Sequence, residues 1–316
     1  MSDLPTAVLG RTGQSVTQLA YGAMELNGQA PGRFRDDSSA EAGALLNAVL
    51  DAGITLIDTS PDYGLSEERI GEHIAHRRGE YFLASKCGCP VDQPPGAGSP
   101  GKLGHVYTRQ NVRAGVEQSL KRMRTDHLDL VQFHISPSRA DLAENDSVAE
   151  LIQLQREGKV RFIGMSSNLP DLPDHIAMGV FDVFQIPYSA LQREHEQLIQ
   201  DAADAGAGVI VRGGVARGLP VGGLQTLSHL PAQSREAFAK RGDVWETAKL
   251  DEVADGMGRM EFMLRFTISH PGMTTTIVGT ANLAHLADNV AVAKKGVLRA
   301  DQYAEAKRRL DAATAS

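Results

Sequence analysis

The sequence predicts an α/β fold, a (β/α)8 TIM barrel with an N-terminal β-hairpin and long loops at its C-terminal face, as one domain over residues 1–316. Three observations predict it. Eight short apolar runs alternate with amphipathic helical stretches, and a parallel strand can be rejoined only through a long crossover, usually a helix. Several runs end in a polar residue, and strand ends are where barrel enzymes keep their chemistry. Two long irregular segments each follow a run, the place where loops overhang the catalytic face. A chain of 316 residues has room for two average domains, but one barrel of this kind also fills that length.

The elements follow in order. "TAVLGRTGQSV" carries a Thr-Gly turn and reads as a hairpin outside the count of eight. The runs are then "QLAYGAM", "GITLID", "YFLASK", "LDLVQFH", "VRFIGMS", "FDVFQIP", "GVIVRG" and "TTTIVG", each of strand length and rich in β-branched or aromatic residues. Among the helical stretches, "TRQNVRAGVEQSLKRM" opens on a capping threonine and sets Val112, Val116, Leu120 and Met123 on one face. Residues 90–105 are too rich in proline and glycine for a regular element, and residues 213–256 form a longer excursion. Both are expected to shape a substrate pocket. Trp245, the only tryptophan, either faces that pocket or plugs the underside of its own loop.

Composition excludes several functions. Hydrophobic residues make up 42% and charged residues 22%, ordinary values for a globular chain. A net charge of −7 argues against nucleic acid or an anionic membrane as partner, since phosphate binding needs clustered positive charge. "KRRL" near the end reads as one solvated helix face. No stretch reaches the apolar length of a membrane span, and the N-terminus lacks a basic start with an apolar core, so a cytoplasmic protein is expected. Cys87 and Cys89 are too close for ordinary disulfide geometry and lack CxxC spacing, so they read as packing residues. No His-x-His occupies the first strand and no His/Asp cluster has ligand spacing; no metal is expected.

Asp58, Lys86 and His134 close the second, third and fourth runs. On adjacent strands about 4.8 Å apart their side chains can converge, with Tyr63 folding over from its loop. A free phenol titrates near 10. An ammonium about 4 Å away is worth up to about 4 kcal/mol at an effective dielectric of about 20, so Lys86 is expected to bring Tyr63 toward neutrality. Asp58 would hold Lys86 in place, and His134 would hydrogen-bond a carbonyl oxygen from the other side. The quartet suits protonation of a carbonyl oxygen while its carbon is attacked.

These residues resemble the aldo-keto reductases, the superfamily that includes potassium-channel β-subunits. The likeness runs from "LGRTGQSVTQLAYGAM" through "IDTSPDYGLSEERIGEHI", "SLKRMRTDHLDLVQFH" and "GKVRFIGMSSN" to "TTTIVGTANLAHLADNVAVA". It implies Asp58, Tyr63, Lys86 and His134 as the catalytic tetrad, Tyr63 as general acid, and hydride transfer from a nicotinamide cofactor to a small-molecule aldehyde or ketone. It also implies cofactor contacts from Ala23, Met24, Asp58, Ser166, Ser167, Gln185, Arg212, Gly213, Val215 and Arg217. Ser166 and Gln185 would bond the nicotinamide amide, and Ser167 intervenes where relatives often have asparagine directly after that serine. Arg212 falls where many relatives stack an aromatic ring, and its charge would favour the reduced, uncharged nicotinamide. Gly279 and Thr280 precede a helix whose start is a phosphate site. His285, supported by Asn282 and Asn289, is the candidate cation for the ribose phosphate of NADPH, the expected cofactor, with NADH as the alternative. No GxGxxG follows a strand, so a Rossmann domain is not expected.

Two other functions fit parts of the pattern. A barrel lyase could use Lys86 as a Schiff-base nucleophile, although Asp58 and Tyr63 would then be unexplained. A cofactor-sensing binding protein of the same fold would keep the site without rapid turnover.

Overall fold

The computed structural model describes residues 3–28, 38–91, 104–216 and 243–314. Two short strands, β1 (Thr6–Val8) and β2 (Ser15–Thr17), form the expected antiparallel hairpin. Eight parallel strands then close a barrel: β3 (Leu19–Gly22), β4 (Leu56–Asp58), β5 (Phe82–Cys87), β6 (Leu128–Phe133), β7 (Val160–Ser166), β8 (Val183–Pro187), β9 (Gly208–Arg212) and β10 (Thr275–Val278), with β10 pairing β3 and β9. Seven lie within the runs picked out in the sequence and β5 extends one residue beyond its run, to Cys87, all in chain order around the ring.

Alternation along each strand separates two cores. Leu19, Tyr21, Ile57, Leu83, Val131 and Phe133 face outward into the layer beneath the helices. Ala20, Leu56, Phe82, Ala84, Leu130, Val183 and Ile210 join Leu9 and Val16 of the hairpin in a second cluster that plugs the lower barrel. Successive side chains of a strand point to opposite faces, so two residues above these inward apolar positions stand Asp58, Lys86, Gln132, Gln185 and Arg212. The register staggers them around the ring: Lys86 pairs with Gln132, but Asp58 pairs with Ala84, Gln185 with Ile210 and Arg212 with Pro187. The lower interior is therefore apolar and the upper interior polar.

The hairpin closes the bottom by packing Leu9 beneath Gly208, where an added Cβ would meet the leucine at 2.7 Å, and by the Arg11 N–H donating to the Gly206 carbonyl at 2.8 Å. Outside, α1 (Ser39–Asp51) and α2 (Ser66–His73) follow β3 and β4. The stretch opened by Thr108 forms α3 (Arg109–Met123); the threonine side chain accepts from Asn111 N–H, and Val112, Val116 and Met123 are buried as expected. Among the described residues no helix is long and apolar enough to cross a membrane. Most of the two irregular segments, including Arg217, lies outside the described residues. Trp245 settles as a plug: it is buried edge-on against Phe262 at 5.6 Å with Arg259 over its ring, on an outer helix (Arg259–Ile268).

Gly71 lets α2 approach α3. An added Cβ there would sit 2.1 Å from the Arg122 carbonyl oxygen and 2.8 Å from Met123 Cα, both backbone, whereas at Gly115 it would meet nothing within 4 Å. Gly71→Ala is expected to destabilise the protein by about 1–3 kcal/mol through overpacking, and Gly115→Ala to stabilise it by about 0.5–1 kcal/mol by favouring the helix. Equilibrium denaturation of the two variants checks the opposite signs.

Candidate active site

The strand-end residues meet at the C-terminal mouth of the barrel. Lys86 Nζ donates to Asp58 Oδ2 at 2.7 Å and to the Thr59 carbonyl at 2.8 Å, and both side chains are almost fully buried. The remaining Asp58 oxygen, Oδ1, accepts from Gln185 Nε2 at 2.8 Å and from Gln132 Nε2 at 3.1 Å. Both Asp58 oxygens and two of the three Lys86 N–H groups are thus partnered, and hydrogen bonding of this kind is what lets buried charges persist. Burial is the largest single effect and works to discharge Lys86, but the charge and hydrogen bond of Asp58, together with Tyr63 and Asp62, outweigh it and hold the ammonium above its ordinary value. A lysine so sealed and charged is a poor Schiff-base nucleophile, which argues against the lyase reading.

Tyr63 reaches over this pair from a turn in which its N–H donates to Ser60 O at 3.1 Å. Pro61 occupies the second position of that turn, where its fixed φ is favoured. The ring is half-buried, with Lys86 Nζ 4.9 Å from its centroid and His134 edge-on at 6.0 Å. Lys86 lowers the pKa of the phenol as expected, yet burial is the larger effect, and Asp58 and Asp62 add to it. Tyr63 is pushed up to about 12, which reverses the expected shift toward neutrality. Tyr63 is therefore a neutral O–H donor at pH 7. Burial, with the Lys86 charge, also holds His134 well below the ordinary histidine value, so its ring is neutral.

A cleft of about 460 Å³ opens above the quartet, bounded by Gly22, Met24, Asp58, Tyr63, His134, Ser166, Gln185, Arg212, Gly213, Val215 and Gly279 among others. Of the cofactor residues expected from the resemblance, Met24, Asp58, Ser166, Gln185, Arg212, Gly213, Val215 and Gly279 line it. Ser167 does not: its hydroxyl turns inward to His175 Nδ1 at 2.7 Å, and Asn168 takes the place on the wall. Ala23 is buried behind the wall. Thr280 is held from behind by Tyr21, whose hydroxyl donates to its carbonyl at 2.8 Å. Asn282 caps the helix Leu283–Lys294, accepting from Ala284 N–H at 2.8 Å, and His285 is exposed on its first turn. Asn289 lies further along that helix, so none of these three touches the cleft.

Sequence reasoning missed Gln132, Asn168 and Ile135. Gln132 had a signal, since it stands two residues before His134 and shares its inward parity. Ile135 had none: it lines the cleft at φ +59°, a left-handed conformation that a β-branched residue rarely adopts.

Fold and site together define a barrel-fold oxidoreductase of carbonyl substrates. More particularly, the chain belongs to the aldo/keto reductase family, whose model matches residues 18–310. It is similar to L-galactose dehydrogenase of Arabidopsis thaliana, 25% identical over 303 residues, 92% of this chain and 88% of that one. It is also similar to the uncharacterized oxidoreductase YrpG of Bacillus subtilis, 30% identical over 309 residues and 89% of each chain. An aldo-keto reductase of Bacillus halodurans, solved in its holo form, shares the fold with a TM-score of 0.79 at 24% identity, covering 97% of this chain and 96% of that one.

The acidity of Tyr63 is measurable. In an ultraviolet difference titration of wild type against Tyr63→Phe, read after a rapid pH jump, the Tyr63 phenolate is expected to emerge near pH 12. Emergence near neutral pH would contradict the dominance of burial.

Proposed function

We propose that this protein reduces an aldehyde or ketone to an alcohol with NADPH, Tyr63 acting as general acid. The observation that carries the proposal is the buried Lys86–Asp58 pair directly beneath a neutral phenol that lines the cleft. The cleft suits a nicotinamide cofactor. Its volume lies in the range of small-molecule sites, Ser166, Asn168 and Gln185 offer polar groups along one wall, and Arg212 Nε is buried with no hydrogen-bond partner among the described residues. A cofactor amide or phosphate in the cleft would relieve that unmet donor.

When bound, the reduced nicotinamide supplies the hydride. The protein's own groups supply the rest. A carbonyl oxygen held between Tyr63 and His134 takes the proton from the Tyr63 hydroxyl as negative charge develops on it. His134, uncharged, can donate a hydrogen bond to the same oxygen, helping to bind and orient it. Lys86 stabilises the phenolate that Tyr63 becomes, and Asp58 keeps Lys86 charged and in place. A high resting pKa is no obstacle to this cycle, because the required resting form is the phenol and the nearby ammonium acts on the form made during the reaction.

Arg212 on the cleft wall supports a preference for the reduced cofactor, since a guanidinium beside the nicotinamide repels the cationic oxidised ring. The start of the helix Leu283–Lys294, where His285 is exposed, is the proposed seat of the extra phosphate of NADPH, beyond the cleft itself. The partner is a small carbonyl compound; the net charge of −7 gives no basis for nucleic acid or membrane. A panel of aldehydes and ketones with NADPH and NADH, run on wild type and Tyr63→Phe, tests the proposal. Tyr63→Phe is expected to lower kcat by about 10²–10⁴-fold with cofactor affinity unchanged, and equal turnover by the two proteins would contradict the role of Tyr63.

A further inference from the structure

Behind His134, four metal-ligating side chains meet from three segments, the connection between β5 and α3 supplying both Cys89 and His105. The donor atoms of Asp62, Cys89, His105 and His134 all lie within 4.8 Å of one another, and of the four residues only His134 lines the cleft. His105 Nε2 is 3.3 Å from His134 Nδ1. Cys89 Sγ is 3.5 Å from His134 Nδ1 and 3.6 Å from His105 Nε2. Asp62 Oδ2 is 3.6 Å from His134 Nδ1.

These separations are long for hydrogen bonds and short for strangers. Ring nitrogen Nδ1 has one lone pair or one proton, yet it faces a thiol, a second ring nitrogen, a carboxylate and the Ser60 hydroxyl at 3.4 Å; one proton cannot serve them all. A common cation can. With zinc–sulfur bonds of about 2.3 Å and zinc–nitrogen bonds of about 2.0–2.1 Å, a tetrahedron sets sulfur and nitrogen about 3.5 Å apart and two nitrogens about 3.3–3.4 Å apart. The three distances among Cys89, His105 and His134 match this within about 0.1 Å.

We propose that Asp62, Cys89, His105 and Nδ1 of His134 form a four-coordinate site for a divalent cation of the zinc class. A thiolate, a carboxylate and two neutral imidazoles balance its charge, and thiolate with imidazole is the donor set such ions favour. Binding replaces the proton on Cys89 sulfur, which burial otherwise retains, with a metal–sulfur bond. That proton passes to solvent, with no change of oxidation state. Local structure prepares the site. Gly88, at φ +92°, turns the chain after β5 so that Cys89 comes under His134; an added Cβ there would strike the Tyr107 ring at 2.4 Å. The Ser60 hydroxyl donates to Asp62 Oδ1 at 2.6 Å, while Oδ2 lies 3.6 Å from His134 Nδ1.

Four protein donors fill the coordination sphere, so the ion is structural rather than a Lewis acid for substrate. Ligation through Nδ1 also fixes the ring proton of His134 on Nε2, the tautomer that can donate to a carbonyl oxygen; this consequence rests on the proposed reduction, whereas the site does not.

The test uses the full-length protein, stripped with chelator and titrated with cobalt(II). Expected are one tightly held equivalent, the intense visible bands of tetrahedral cobalt, and a near-ultraviolet thiolate-to-cobalt charge-transfer band. Cys89→Ser should abolish the charge-transfer band. His105→Gln, at a half-buried position where folding is readily kept, should weaken cobalt affinity by more than the roughly 10–100-fold that changes outside the ligand shell cost. His127→Gln, at the surface, should leave both readouts unchanged. Weak octahedral cobalt, a charge-transfer band that survives Cys89→Ser, or an affinity unmoved by His105→Gln would each overturn the proposal. None of these readouts depends on turnover, so failure here is separate from failure of the reductase reading.

Discussion

A lysine ammonium inside a ring of strands is tolerable only if its charge is answered where it stands. Removing such an ion from water costs several kcal/mol even after relaxation, and a lone partner returns that only when its own lone pairs are filled. Here both oxygens of the partner carboxylate are filled. Asp58 gives one oxygen to Lys86 and the other to two glutamine amides from β6 and β8, so the pair ties four strands of the barrel together. The same network places a fixed positive charge beneath Tyr63. Groups fixed before the reaction need no reorganisation during it, which is the basis of electrostatic catalysis.

The balance of effects on Tyr63 follows from this arrangement. The ammonium that favours the phenolate comes with the carboxylate that opposes it, and both sit in a site where burial favours the neutral form. The net result keeps the proton on the oxygen at rest. A donor that must hand a proton to a carbonyl oxygen needs that proton on it beforehand, and needs help only once the proton has moved. In the proposed reduction Lys86 would supply that help. The electrostatics would then favour one side of the proton transfer over the other, instead of making a free phenolate.

Much of this was legible in the sequence. The eight strands could be read because apolar runs of strand length recur between amphipathic stretches, and Asp58, Lys86 and His134 stood out as polar ends of such runs. Inward and outward positions alternate, so the parity that carries Leu56 to Asp58 and Ala84 to Lys86 was there to read as well. Gln132 escaped because a glutamine inside "LDLVQFH" reads as part of a buried strand unless its parity with His134 is followed. Ser167 and Asn168 could not be told apart, since which of them faces the cleft depends on how the backbone leaves β7. The sign of the Tyr63 shift was misread because charge can be placed from sequence but burial cannot. The donors at 62, 89, 105 and 134 have no ligand spacing, and two loops and a strand end must fold before they meet.

The most direct measurement of the central claim is a double-mutant cycle on the buried pair, with stability to denaturant determined for Asp58→Asn, Lys86→Met and the two together. Each single change strands a buried partner and is expected to cost about 3–5 kcal/mol, while the double variant, which strands neither, should cost much less than their sum. Additive losses would show that Asp58 and Lys86 do not depend on one another, and the account of the site built on them would be wrong.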